Sequence, residues 1–235
     1  MIDAVVFDKD GTLFDFRKSW SGYVRRAIVD LAGDHSEAAQ QRLDLARAIG
    51  FDPASGEFES DSPVIAGTAE DIAEELLALL PGWTRATLVD RLNALSASAE
   101  MTEAVPLVPL VTALRMRGLR IGLATNDVEA AGRAHLAAVG VDLLFDAILG
   151  ADSGHGAKPG PGMLLAFARS VGVDPARVVM VGDSRHDLIA GREAGMQTIA
   201  VLTGIATAHD LSPLADAVLR DVGELPGWID ARRAS

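Results

Sequence analysis

The chain has 235 residues, 49% of them hydrophobic and 23% charged, with 33 acidic side chains against 21 basic ones and a formal net charge of −12. That balance disfavours nucleic acid as a partner, and it requires any anionic ligand to be drawn in by a local basic cluster. Cysteine is absent, which excludes disulfides, thiolate metal sites and a cysteine nucleophile.

Ile2 to Phe7 is an apolar run that reads as a buried strand. No apolar run is long enough to cross a bilayer, and the start of the chain has no basic or hydrophobic leader. The expectation is a cytoplasmic protein without a membrane partner. The first strand ends abruptly in Asp8-Lys9-Asp10-Gly11-Thr12-Leu13. If the chain is still extended there, the Asp8 and Asp10 carboxylates project to one side. Two such anions are tolerated when a cation lies between them or when one takes a proton.

From Phe16 to about Ser98 the pattern is helical, with no convincing strand. Trp20, Val24, Ala27, Ile28 and Leu31 form one stripe, ended at Gly33-Asp34. Ala38 to Ile49 is a second helix. Phe51 to Gly67, rich in Gly, Pro, Ser and acids, reads as a loop. Thr68 with Asp71 opens a third helix, which stops at Pro81-Gly82, and Thr84 or Thr87 opens a fourth. Strand and helix then alternate. The predicted strands are Leu119 to Ala124, Phe145 to Leu149, Arg177 to Val181, Gln197 to Leu202 and a short Ala217 to Leu219. The predicted helices run from Leu107 to near Gly118, Val128 to Val139, Met163 to Val171 and His186 to Ala194. This alternation implies an α/β fold, a three-layer Rossmann-like parallel sheet with helices on both faces. The all-helical block interrupts it as an inserted small domain.

Polar residues stand at successive strand ends. Thr125-Asn126 follows one strand, Lys158 sits in a Gly- and Pro-rich loop after the next, and Asp183 with Asp187 follows another. Taken singly, these are helix caps or a solvated lysine. Together they gather two aspartate pairs, a hydroxyl and an ammonium on one sheet edge, a selection that suits phosphoryl transfer. A carboxylate attacks phosphorus, a second acid moves the proton, a divalent ion held by oxygens screens the charge, and the hydroxyl and ammonium bind the transferring oxygens.

The chain resembles the phosphatase branch of the haloacid dehalogenase superfamily. Asp8-Lys9-Asp10-Gly11-Thr12-Leu13, Thr125 in Leu123-Ala124-Thr125-Asn126, Lys158 before Pro159, and Gly182-Asp183-Ser184-Arg185-His186-Asp187 are similar to its four motifs, in order. The resemblance implies a catalytic core of residues 1–15 and 99–235 and a helical cap of residues 16–98. It implies Asp8 as nucleophile and Asp10 as general acid/base. Thr125, Asn126 and Lys158 would bind the phosphoryl group. Mg²⁺ would be held by Asp8, the Asp10 carbonyl, Asp183 and Asp187. Asp10 argues for a phosphatase, because true dehalogenases lack that second aspartate.

Val181 to Gly195, and more loosely Pro63 to Thr68, are similar to phosphoglycolate phosphatases, with His186 in place of the asparagine common there. Lys9 replaces a commoner apolar residue and is expected to point away from Asp8 into an ion pair. Arg17 and Lys18 near the hinge, and Arg185 beside His186, are candidates for the substrate's remaining groups, whereas Arg25 and Arg26 read as a solvated face. The expected activity is Mg²⁺-dependent hydrolysis of a small phosphorylated metabolite, of phosphoglycolate or sugar-phosphate type, through an aspartyl-phosphate. A phosphomutase and a non-catalytic binding protein on the same fold are the alternatives. Monomer and homodimer both stay open.

Overall fold

The computed structural model describes residues 2–233. Six strands form one parallel sheet: β1 (Ala4–Phe7), β2 (Arg120–Ala124), β3 (Ala147–Leu149), β4 (Val178–Gly182), β5 (Gln197–Val201) and β6 (Ala217–Leu219). Their order is β3-β2-β1-β4-β5-β6. β1 is central, with Val5 opposite both Ile121 and Val179, and Phe7 opposite Leu123 and Val181. Side-chain alternation along β1 splits the core into two layers. Val5 and Phe7 pack with Leu107, Leu110, Val111 and Leu114 of α6 (Leu107–Met116) and with Leu225 and Ile229 of α11 (Leu225–Arg233). Ala4 and Val6 face Met163, Leu164 and Phe167 of α8 (Gly162–Val171). Helices therefore cover both faces, as the strand–helix alternation requires. The remaining sheet-associated helices are α7 (Glu129–Ala138), α9 (Arg185–Glu193) and the short α10 (Ala208–Leu211).

The helical unit between β1 and β2 comprises α1 (Phe16–Ala32), α2 (Ala38–Ala48), α3 (Pro63–Ala66), α4 (Ala69–Leu77) and α5 (Arg85–Ala97). Its buried apolar residues, from Phe16 to Leu92, form a cluster separate from those of the sheet. Thr68 with Asp71 and Thr84 with Thr87 form reciprocal caps at the starts of α4 and α5. Three elements depart from the sequence reading. The stretch read as a loop from Phe51 to Gly67 contains α3, capped by Ser62 and opened by Pro63. It also pairs Phe51 with Phe58 in an isolated bridge. α10 and α11 had no counterpart in the reading. Among the described residues no helix is long and apolar enough to cross a membrane.

Candidate active site

β1, β2, β3 and β4 lie side by side, and each releases its loop at the carboxyl end of the sheet, the edge where open α/β sheets bind ligands. Asp8 follows β1, and its backbone N–H donates to the Val181 carbonyl at 2.9 Å, which fixes it beside the end of β4. Asp183 follows β4. Thr125 follows β2, and Lys158 comes from the loop after β3. All four are buried.

The Lys158 ammonium donates to Asp8 Oδ1 at 2.5 Å and to Asp187 Oδ1 at 2.7 Å. Asp187 is the third residue of α9, and its other oxygen accepts from the Ser184 hydroxyl at 2.7 Å and the Ser184 backbone N–H at 3.0 Å, closing a capping box. Capping and site-building are thus done by the same carboxylate. Thr12 Oγ1 donates to Asp183 Oδ1 at 3.3 Å. The Asp183 carboxylate also lies against two glycines. A Cβ on Gly11, whose φ is +84°, would come within 2.3 Å of Asp183 Oδ2, and one on Gly204 within 1.7 Å. Any side chain at either place would displace the acid.

Carboxylate oxygens of Asp8, Asp183 and Asp187 fall within 4.8 Å of one another, all buried. Three acids thus share a single ammonium. Burial pushes the Asp8 carboxyl up to about 7; the Lys158 charge pulls it back in part, while Asp187 and Asp10 add to the rise. Asp183 shifts upward through burial, then through the charges of Asp8 and Asp187. Burial pulls the Lys158 ammonium down, but Asp187 and Asp8 outweigh it and hold the group above its usual value. Oxygen donors carrying surplus negative charge in a buried cluster suit a hard divalent cation, and the aspartate trio is able to hold one.

Asn126 binds the lysine loop through its amide. Its Oδ1 accepts from the Lys158 backbone N–H at 2.9 Å, and its Nδ2 donates to the Lys158 carbonyl at 2.9 Å and to the Ala66 carbonyl of α3 at 2.8 Å. Thr125 does not cap α7, whose N-cap is Val128. Its hydroxyl accepts from the Asp127 N–H at 3.1 Å.

A second buried lysine lies behind the first acid pair. Lys9 is fully buried and contacts Asp10 Oδ2 at 2.9 Å, Asp127 Oδ2 at 2.7 Å and His135 Nδ1 at 3.0 Å. It points away from Asp8 into ion pairs, as expected. The Ser96 hydroxyl of α5 donates to Asp127 at 3.0 Å, and His135 Nε2 meets the Ser96 carbonyl at 3.0 Å. Burial, then the Lys9 charge, lowers His135 to about 4, so the ring is neutral at pH 7 and donates from one nitrogen only. Asp10 is raised by burial, which the Lys9 charge offsets only in part.

A cavity of about 40 Å³ separates the strand-end residues from the helical unit. Asp8, Asp10, Thr125, Asn126, Lys158, Asp183 and Asp187 all line it. Three of the predicted substrate contacts do not. Arg17 is half exposed and paired with Glu57, and Lys18 is exposed and paired with Asp15 at 2.9 Å, the residue that caps α1. The first turn of α1 carries both outward, because its inward stripe begins at Phe16 and continues through Ser19 and Trp20. Arg185 is exposed, reaches the Asp210 carbonyl at 3.4 Å, and borders an outer groove instead. His186 does line the cavity. Trp20, Asn93, Ser96 and Asp127 border it too and were not singled out from sequence as site residues. The docking of α1 and α5 places three of them, and only Asp127, two residues beyond Thr125, sat next to a recognised motif.

A family model described as haloacid dehalogenase-like hydrolase matches residues 2–195. The probable phosphatase IndB of Dickeya dadantii (strain 3937) is 33% identical over 227 residues, covering 92% of this chain and 88% of the relative. The phosphoglycolate phosphatase of Escherichia coli (strain K12) is 28% identical over 249 residues, covering 95% and 91%. The crystal structure of a predicted phosphoglycolate phosphatase from Haemophilus somnus 129PT superposes with a TM-score of 0.72 at 18% identity, covering 97% of this chain and 98% of that one.

Proposed function

Because the chain belongs to the haloacid dehalogenase-like hydrolases, and to their phosphatases by its relatives, we propose that it hydrolyses a small phosphate monoester through an aspartyl-phosphate on Asp8. The observation that supports this most is the buried trio of Asp8, Asp183 and Asp187 with the Lys158 ammonium 2.5 Å from Asp8. Residues 16–98 serve as the cap, and the remainder as the catalytic core.

In the first half-reaction the Asp8 carboxylate attacks phosphorus and the P–O bond to the alcohol breaks. Asp10, kept protonated more readily by its burial, gives its proton to the departing oxygen. In the second, Asp10 takes a proton from water as the water oxygen attacks phosphorus, which releases inorganic phosphate and restores the Asp8 carboxylate. Lys158 and the buried Thr125 hydroxyl donate to the phosphoryl oxygens. Asn126 holds the Lys158 backbone in place. Asp8, the Asp10 carbonyl, Asp183 and Asp187 would hold Mg²⁺, which supplies charge neutralisation between anionic nucleophile and anionic phosphate. The cavity, at about 40 Å³, is on the scale of a water or two. The ester therefore enters when the cap lifts.

Release of phosphate from p-nitrophenyl phosphate, dependent on Mg²⁺ and abolished by chelator, tests the reading. Asp8→Asn should lose at least about 10³-fold in kcat, and quenched wild-type enzyme should carry a phosphoryl group on the peptide containing Asp8. An Asp8→Asn enzyme of undiminished activity would refute it.

A further inference from the structure

Resting on the phosphatase reading above, we propose that the substrate is the monoester of an uncharged alcohol that carries a hydrogen-bonding group beside an apolar face, and that a second anionic group on the substrate is rejected. The cap side of the cavity carries this inference. Its wall is built of Val64, Ile65, Ile72 and Leu92. Its polar members from the helical unit are neutral: Trp20, Tyr23, Thr68, Asn93 and Ser96.

Among the described residues lining the cavity, Lys158 is the one lysine or arginine, and it is engaged by Asp8 and Asp187. Arg17 and Lys18 point outward to Glu57 and Asp15. His186 lines the cavity, with its Nδ1 buried and without a hydrogen-bond partner, and also borders two outer grooves. Against this the cavity holds Asp8, Asp10, Asp127, Asp183 and Asp187. A carboxylate or second phosphate on the leaving group would be stripped of water against an aliphatic wall, close to Asp10, with no lysine or arginine free to meet it. An unpaired buried charge costs several kcal/mol.

Two atoms point to what fits instead. Trp20 Nε1 and Asp10 Oδ1 are both buried and both lack a hydrogen-bond partner. The indole N–H lies near enough to Asp10 to pull its pKa down somewhat, yet closes no bond to it. Trp20 is only 7% exposed, and its ring is fixed by stacking on Phe16 at 6.0 Å and by the edge contact with Tyr23 at 4.7 Å. The indole N–H, held rigid, complements a hydroxyl or carbonyl oxygen of the substrate, while Asp10 Oδ1, the oxygen that Lys9 leaves free, handles the proton in catalysis. The same wall disfavours a mutase cycle, whose bisphosphate intermediate brings a second dianion to it.

The test compares phosphoglycolate with its amide, two esters of nearly equal shape that differ in charge, and with propyl phosphate, which has no hydrogen-bonding group. In Mg²⁺, kcat/KM for the amide should exceed that for the acid by about 100-fold or more, the penalty of an unpaired buried charge. Trp20→Phe keeps an aromatic ring and loses the N–H. It should raise KM for the amide about three- to tenfold more than KM for propyl phosphate, whereas mere loosening of the cap would weaken both alike. Asn93→Lys should narrow the gap between acid and amide. Equal or better turnover of the acid overturns the proposal.

Calorimetry with the Asp8→Asn variant separates the two readings. If neither ester is hydrolysed by the wild type but the amide alone binds, the phosphatase reading falls and the charge selection stands. If the acid binds as tightly as the amide, the charge selection falls whatever the turnover.

Discussion

Two lysines of the core are buried among aspartates, and they live in opposite circumstances. Lys9 is closed in by Asp10, Asp127 and His135, with its ammonium also 5.7 Å from the centre of the Trp20 ring. Lys158 touches Asp8 and Asp187, with Asp183 close by, and faces the cavity. Around Lys9 the Asp127 oxygens and Asp10 Oδ2 are matched by donors, including Ser96 from the helical unit, and Asp10 Oδ1 alone is left open. Around Lys158 negative charge is in excess. Apart from Asp10 Oδ1, the first arrangement is complete without a ligand and serves the fold. The second is completed by what binds, so its electrostatic cost is carried for function.

Breaking each lysine in turn is the sharpest probe of this contrast. Lys158→Ala should lower kcat by about 10²–10³-fold, the scale of losing one fixed donor to a developing anion, measured as phosphate release at saturating substrate. Lys9→Met should instead cost about 3–5 kcal/mol of stability, because two buried carboxylates lose their partner; urea unfolding reads this out. A Lys9→Met protein as stable as wild type would erase the distinction.

Mg²⁺ sharpens it from the other side. At a hundredfold excess over Kd, the ion should stabilise the wild type by about 2.7 kcal/mol. It should not restore what Lys9→Met has lost, since the proposed ion site lies among the acids around the other lysine. Thermal unfolding with and without chelator checks both statements.

The smallest effect concerns His135. Its folded pKa lies near 4, below the ordinary 6.5, so the unfolded chain takes up the proton first as pH falls. Stability contributed by the neutral ring is fully present above pH 6.5 and is lost as pH drops towards 4. The urea midpoint should therefore fall more between pH 7 and pH 5 in the wild type than in His135→Gln.

The sheet and its strand-end acids were legible because they are local. An apolar run stopped by Asp-x-Asp-Gly, and Ser184 three residues before Asp187, say what they are within a few residues. The four-residue α3 and the nine-residue α11 escaped, the first too short for a helical period and the second disguised by Pro226-Gly227 in its opening turn. Arg17 and Lys18 looked well placed by lying near the hinge, but the phase of α1 turns them outward. Lys9 reaches Asp127 across 118 positions and His135 across 126, and Ser96 joins them from another helix. Such a meeting depends on the angle at which α5 docks, and no short stretch of sequence encodes that angle.

The Asn126 amide has two hydrogens and one oxygen, and all three are in use: two on the Lys158 main chain and one on Ala66. On the proposed opening of the cap, Asn126 would give up only its Ala66 bond, and water would take its place at a net cost of about 1 kcal/mol. The Ser96 contacts with Asp127 and His135 cross the same seam and would part as well, while Asn126 would keep both its bonds to the Lys158 main chain. The proposed opening would thus leave the lysine loop set for the next round.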